Sequence, residues 1–268
     1  MKKHSIKQWI QVAGLLCLML IVAAIPGKKA DAATLVPNKA TGYIKASTKG
    51  EKHTLRMKKD GYVTIAVKSG YEGNAYLSAG YISLYKGSKR ISDPRYINYD
   101  VASDNQTRIY ALKKGTYQVY VKLNYATVNT IEGYQPNQYQ VATILKYASD
   151  QGGTKKSKAT TLKLKKSKQG IIAQTDPAGG YNSSKGDWYK FKLTKKTKVR
   201  LYLTGYGQAR PYLYTSGKIS YKYRNNLNKF VQLKSTTLPK GTYYIRLSKL
   251  TKDGSFFYKI GLNKKVKL

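Results

Sequence analysis

Two stretches of this chain repeat each other: LKKGTYQVYV at residues 112–121 and LPKGTYYIRL at residues 238–247, offset by 126 positions. Similarity at a fixed separation means that one supersecondary plan is used twice. The surrounding segments answer each other in the same order. ISLYKGSKRI (82–91) has its counterpart in PYLYTSGKI (211–219), and TLRMKKDGYVTIAV (54–67) in WYKFKLTKKTKVRLYL (188–203).

Each run alternates apolar and polar residues with a period of two, which is the mark of a half-buried strand. In the second copy Tyr189, Phe191 and Leu193 share a face, as do Val199, Leu201 and Leu203, and then Tyr243, Ile245 and Leu247. The first copy offers Leu55 and Met57, then Val63, Ile65 and Val67, then Tyr117, Val119 and Val121. These are the expected core. Lys190, Lys192, Arg200, Tyr202, Tyr244 and Arg246 fall on the opposite faces, where an antiparallel sheet meets solvent. Gly115 and Gly241 stand where a tight turn must release each closing strand. No stretch beyond residue 32 keeps a helical period. The expected fold is therefore all-β: two tandem antiparallel β-sandwiches, jelly-roll-like, over residues 33–150 and 151–268. A linker rich in Gly, Ser, Thr and Lys is expected at residues 149–161.

Residues 1–32 read as a cleaved signal peptide, with a basic start at Lys2, Lys3 and Lys7, an apolar run over residues 12–25, and a small-residue exit at Ala30, Asp31 and Ala32. The apolar run is too short for a permanent span of roughly 20 residues. Cleavage after Ala32 would remove Cys17, the one cysteine of the chain. The exported remainder would hold together by packing alone, without disulfides. The expected localisation is secreted or noncovalently wall-associated, in a Gram-positive bacterium. The last residues, Lys264 to Leu268, offer no sorting motif or apolar tail.

Charge separates the two halves. Residues 33–150 carry 17 Lys and Arg against 8 Asp and Glu, whereas residues 151–268 carry 28 against 3. Such an excess says nothing of fold, but it predicts attraction to polyanions with steep salt dependence.

Catalytic residue types are sparse. His53 is the only histidine beyond residue 32, it opens an expected strand, and no nucleophile turn surrounds it. The carboxylates Glu51, Asp60, Glu72, Asp93, Asp100, Asp104 and Glu132 show no spacing that selects a glycosidase pair. No zinc pair of histidines and no phosphate loop is present. Asp100 and Asp104 make one nearby acidic pair, which a solvated turn explains as well as a metal would. The expectation is a non-enzyme with no catalytic residue, metal or cofactor.

Binding chemistry is better supplied. Trp188, Lys190 and Lys192 share one strand face, Arg200 follows on the next strand, and Tyr212 and Tyr214 precede the cluster Tyr221, Lys222, Tyr223 and Arg224. Aromatic rings stack on sugar or apolar surface, while ammonium and guanidinium groups pair with phosphate or carboxylate. Many of the 26 tyrosines must instead build sandwich cores, given tyrosine's β-propensity.

Asp187-Trp188-Tyr189-Lys190-Phe191, then Tyr212-Leu213-Tyr214, then the closing LPKGTYYIRL resemble the bacterial pre-peptidase C-terminal domain, a jelly-roll-like sandwich of exported proteins. The first repeat matches that pattern only in its closing motif. Some members bind calcium through acidic residues before the middle strand, where this chain has Gly207, Gln208, Ala209 and Arg210, so that site is expected to be absent. The resemblance also implies a matrix-binding role, since related sandwiches bind collagen, and would assign it to Tyr212, Tyr214, Tyr221 and Tyr223. The expected partner is an anionic envelope polymer, teichoic acid or acidic glycan. Matrix protein such as collagen, or extracellular DNA, is the alternative.

Overall fold

The alternating runs form ladders where the period of two places them. The structure is a computed structural model that describes residues 33–267, apart from 43, 46–48, 70–79, 98–106, 124–137, 180–182, 208–210, 217–221 and 227–228. The expected signal peptide, the Asp100 and Asp104 pair, and Tyr221 lie outside the described residues. Among the described residues there is no α-helix, only one 3-10 turn at Lys156–Lys158. None of their helices is long and apolar enough to cross a membrane. The fold is all-β. The chain divides into two compact units, the first comprising Met1–Lys58, Val63–Arg108 and Gly115–Leu145, the second Lys59–Tyr62, Ile109–Lys114 and Lys146–Leu268.

The first unit contains one sheet in the order β1 (Thr34–Leu35), β3 (Glu51–Met57), β9 (Gly115–Leu123), β5 (Gly80–Lys86) and β6 (Lys89–Arg90), with β7 (Arg95–Ile97) also paired to β5. A further sheet runs β2 (Ile44–Lys45), β10 (Gln138–Tyr147), β4 (Gly61–Ser69) and β8 (Thr107–Leu112). Leu55, Met57, Val63, Ile65, Val67, Tyr117, Val119 and Val121 are all buried. The expected core of this copy is the actual one.

The second unit has one sheet ordered β11 (Thr160–Thr161), β13 (Asp187–Leu193), β18 (Gly241–Lys249) and β15 (Pro211–Thr215). Its other sheet runs β12 (Lys166–Ile172), β19 (Phe256–Leu262), β14 (Thr197–Gly207), β17 (Lys229–Leu238) and β16 (Lys222–Asn226). Tyr189, Phe191, Leu193, Val199, Leu201, Leu203, Ile245 and Leu247 join one buried cluster, against which the half-buried Tyr243 packs. Tyr243 stacks on Phe191 with centroids 5.3 Å apart, and its hydroxyl reaches Pro239 O at 2.8 Å.

The two sheet orders correspond strand for strand. β1-β3-β9-β5 matches β11-β13-β18-β15, and the short first strand is parallel to its neighbour in both. Gly115 and Gly241 open the corresponding strands with φ of 152° and 159°. Registers align too: Met57 pairs with Gly115 and Leu193 with Gly241, which places His53 where the second copy has Tyr189. Both positions carry a buried polar pair. His53 Nε2 lies 2.6 Å from the Tyr139 hydroxyl, and the Tyr189 hydroxyl 2.7 Å from that of Tyr258.

Residues 149–161 do not form the free linker that their composition suggests. Gly153 and Trp188 exchange backbone hydrogen bonds of 3.1 and 2.8 Å, β11 pairs with β13, and Ala159 is buried. Asp150, in the same stretch, accepts an ion pair from Lys113 within the second unit. Backbone ladders and one charge pair hold this stretch down, so its lack of an apolar run was a poor guide.

Candidate functional site

The antiparallel register of β13, β18 and β15 builds the outer face of one sheet of the second unit. Trp188 pairs with Arg246, Lys190 with Tyr244, and Lys192 with Thr242. Tyr214 pairs with Arg246 and Tyr212 with Ser248 from the other side. Since Tyr189, Phe191, Ile245, Leu247 and Leu213 fill the core, alternation turns these partners outward. The Arg246 guanidinium carbon lies 5.8 Å from the Trp188 ring centre, 5.6 Å from Tyr212 and 5.5 Å from Tyr214. Three rings surround one cation.

This arrangement corrects two readings. Arg246 is not a solvent-facing residue, being only 2% exposed beneath those rings. Trp188 is 6% exposed, meets Tyr214 edge to face at 6.2 Å, and donates its indole N–H to Ser184 O at 2.9 Å. An indole so engaged is a wall of the cluster, not an open stacking platform. Burial pulls the Arg246 guanidinium below its ordinary pKa, and the neighbouring Tyr212 and Tyr214 push the other way. What the face presents to solvent is the half-exposed Tyr212 and Tyr214, the half-exposed Lys190 and the exposed Lys192. Beside them the Lys156 ammonium sits 4.8 Å over the Tyr244 ring.

The remaining candidates are not part of this face. Arg200 is exposed on β14, in the other sheet, where its guanidinium reaches the Tyr202 hydroxyl at 3.4 Å. Lys222, Tyr223 and Arg224 lie on β16, paired with Leu233, Gln232 and Val231 at the edge of that same sheet. Sequence adjacency had grouped residues that the fold assigns to two sheets. It also left Arg246, Tyr244 and Lys156 out of the group. The signal for Arg246 was cross-strand register, which no local pattern reveals.

Buried titratable groups elsewhere serve packing. His53 is fully buried, accepts the Ala33 N–H at 3.3 Å through Nδ1, and bonds Tyr139 through Nε2. Desolvation lowers its pKa to about 4, slightly opposed by Glu51. Asp187 accepts the Tyr258 hydroxyl at 2.6 Å, and burial, reinforced by Asp150, holds its carboxyl well above the usual range. Lys249, also fully buried, donates to Ala173 O, Gln174 O and Gly254 O at 3.1, 2.9 and 2.9 Å. Among the described residues, no three His, Asp or Glu side chains converge on a metal position.

No family model matches the sequence. No curated protein matches it either. Among solved structures, PNGF-II in a C2 crystal form gives a TM-score of 0.27 at 10% identity, covering 92% of this chain and 65% of that one. A peptide-N(4)-(N-acetyl-β-D-glucosaminyl) asparagine amidase gives 0.25 at 8%, covering 90% and 96%. The CUB1-EGF-CUB2 region of human MASP-1/3 gives 0.22 at 7%, covering 82% and 98%. This chain thus spans less than two thirds of the first of these proteins, and scores so low carry no chemistry over to it.

Proposed function

We propose that this chain is an exported, non-catalytic binding protein that attaches to an anionic polymer of the cell envelope, teichoic acid or acidic glycan. One observation supports this best. The outer face of the β11-β13-β18-β15 sheet carries Tyr212, Tyr214, Lys190, Lys192 and Tyr244 around the caged Arg246, and none of its outward register positions holds a carboxylate. Tyrosine rings and hydroxyls suit the polyol or sugar part of such a polymer, and ammonium groups suit its charge. Kinship of the second unit with pre-peptidase C-terminal domains belongs to the same proposal.

Retention on purified walls, with and without their anionic polymers, tests it across a salt series. Binding should be lost from stripped walls and should weaken steeply with salt. Undiminished binding to stripped walls sinks the proposal. The half-exposed Tyr212 and Tyr214 also favour a second reading, adhesion to a fibrous matrix protein such as collagen. Retention on collagen that survives high salt would select it.

A further inference from the structure

The opposite sheet of the second unit carries a separate feature that the aromatic face does not explain. At its edge, β12 pairs with β19 so that Gln169 faces Lys259 and Ser167 faces Gly261. Beyond β19 the chain turns at Asn263, which adopts φ 49°. Asn263 is locked to β14: its Oδ1 accepts Arg200 N–H at 2.6 Å, its own N–H donates to Arg200 O at 2.8 Å, and its Nδ2 reaches Lys198 O at 3.2 Å. The segment after it folds back over Gly261. A methyl group there would stand 2.5 Å from Lys264 O and 3.0 Å from Val266 Cγ1. Glycine is what lets the segment lie this close.

The strands and the returning segment border an open, shallow groove of about 400 Å³, lined among others by Lys168, Lys259, Lys265, Lys267, Gln151 and Gln169. No Asp, Glu or aromatic residue lines it. Lys168 pairs with the buried Ile260 and so projects from the other face of the sheet, bordering the groove with its backbone. The ammonium groups of Lys259, Lys265 and Lys267, with no carboxylate among the lining residues, favour an anionic guest. The volume falls within the ordinary range of ligand clefts, roughly 300–1,000 Å³, so it suits a few units of a chain and not a broad surface. Strands of nucleic acid are held by stacking their bases on rings as well as by charge. This groove offers amides in place of rings, which match hydroxyls.

We propose that the groove binds a phosphodiester-linked polyol chain, its lysines pairing the phosphates and Gln151 and Gln169 meeting the hydroxyls. This rests on the envelope-polymer reading above and adds a second, aromatic-free site to it. The test is a binding isotherm of the full chain with synthetic poly(glycerol phosphate) and, separately, with oligo(dT) of about twenty nucleotides, near 50 mM salt. Lys259→Gln with Lys265→Gln should weaken poly(glycerol phosphate) binding about tenfold or more. Lys195→Gln with Lys196→Gln, an equal charge change on an exposed turn, should cost less than about threefold. Gly261→Ala, which changes no charge, should also weaken binding by displacing the returning segment, measured at a temperature where a cooperative melt shows the variant fully folded.

Equal losses in the two lysine pairs, with Gly261→Ala binding like the native chain, overturn the groove while leaving the broader reading intact. Groove-dependent binding that is tighter for oligo(dT) than for poly(glycerol phosphate) makes it a nucleic-acid site and overturns the polyol assignment. No binding of the native chain to poly(glycerol phosphate), together with no retention on walls, overturns both.

Discussion

His53 shows what burial does to a titratable side chain in a small sandwich. Its ring is closed in by Ala33 and Tyr139, and its pKa falls from 6.5 to about 4. The unfolded chain takes up a proton near pH 6.5 and the folded chain only near pH 4. Within that window the unfolded state holds more protons, so His53 lowers stability as pH drops from 6.5 to 4, by about 3 kcal/mol in all. The raised carboxyl of Asp187 acts in the opposite sense, because the folded state keeps its proton at a pH where the unfolded state has lost it. Comparison with a variant isolates the histidine. In urea unfolding at several pH values, His53→Gln should be penalised less than the native chain on acidification, and parallel curves would refute this account. Lys249 poses the complementary case, a cation whose three partners are all backbone carbonyls. Lys249→Met should leave those buried oxygens unsatisfied and cost about 2–4 kcal/mol by urea denaturation.

At the scale of elements, the paired sheets carry one polar seam in two chemical versions. Where the first unit joins β3 to β10 by His53 and Tyr139, the second joins β13 to β19 by Tyr189 and Tyr258, and extends the seam to Asp187. Tyr258→Phe removes the hydroxyl that bridges the other two groups, and should destabilise by about 1–3 kcal/mol. Gly170→Ala acts on the same hydroxyl by geometry, since the added methyl would lie 2.2 Å from it. If both variants melted with the native chain, the seam would contribute nothing to stability. The strands themselves were legible because period-two alternation is local: the expected inward residues of β3, β4, β9, β13, β14 and β18 are inward. The seam was not legible, because His53 and Tyr139 stand far apart in sequence and the residue types differ between copies. Arg246 was misread for the same reason. On its own strand it alternates like a surface residue, and only pairing with Trp188 and Tyr214 covers it. Residues 149–161 show the reverse error, a polar composition that concealed backbone pairing and the Asp150 ion pair.

For the whole molecule the deciding quantity is where the charge sits. The basic excess is concentrated in residues 151–268, at 28 Lys and Arg against 3 Asp and Glu, yet total charge alone does not distinguish a diffuse attraction from a site. Salt dependence can separate them. Each phosphate neutralised releases condensed counterions, giving a slope of log K against log salt of roughly −0.7 to −0.9 per contact for nucleic acids, and a phosphodiester polyol should behave alike. A surface that attracts only through its summed field would lose slope by the same small amount wherever a lysine is removed. Contacts at defined positions lose it unevenly. Lys52→Gln with Lys58→Gln, two exposed residues of the first unit, should therefore leave the slope for poly(glycerol phosphate) nearly unchanged. Lys259→Gln with Lys265→Gln should reduce its magnitude by about 1–2. Isotherms between about 50 and 300 mM salt resolve such a difference. Equal slopes for both pairs would mean that the charge of the second unit works as a field, and that neither its groove nor its aromatic face selects what it holds.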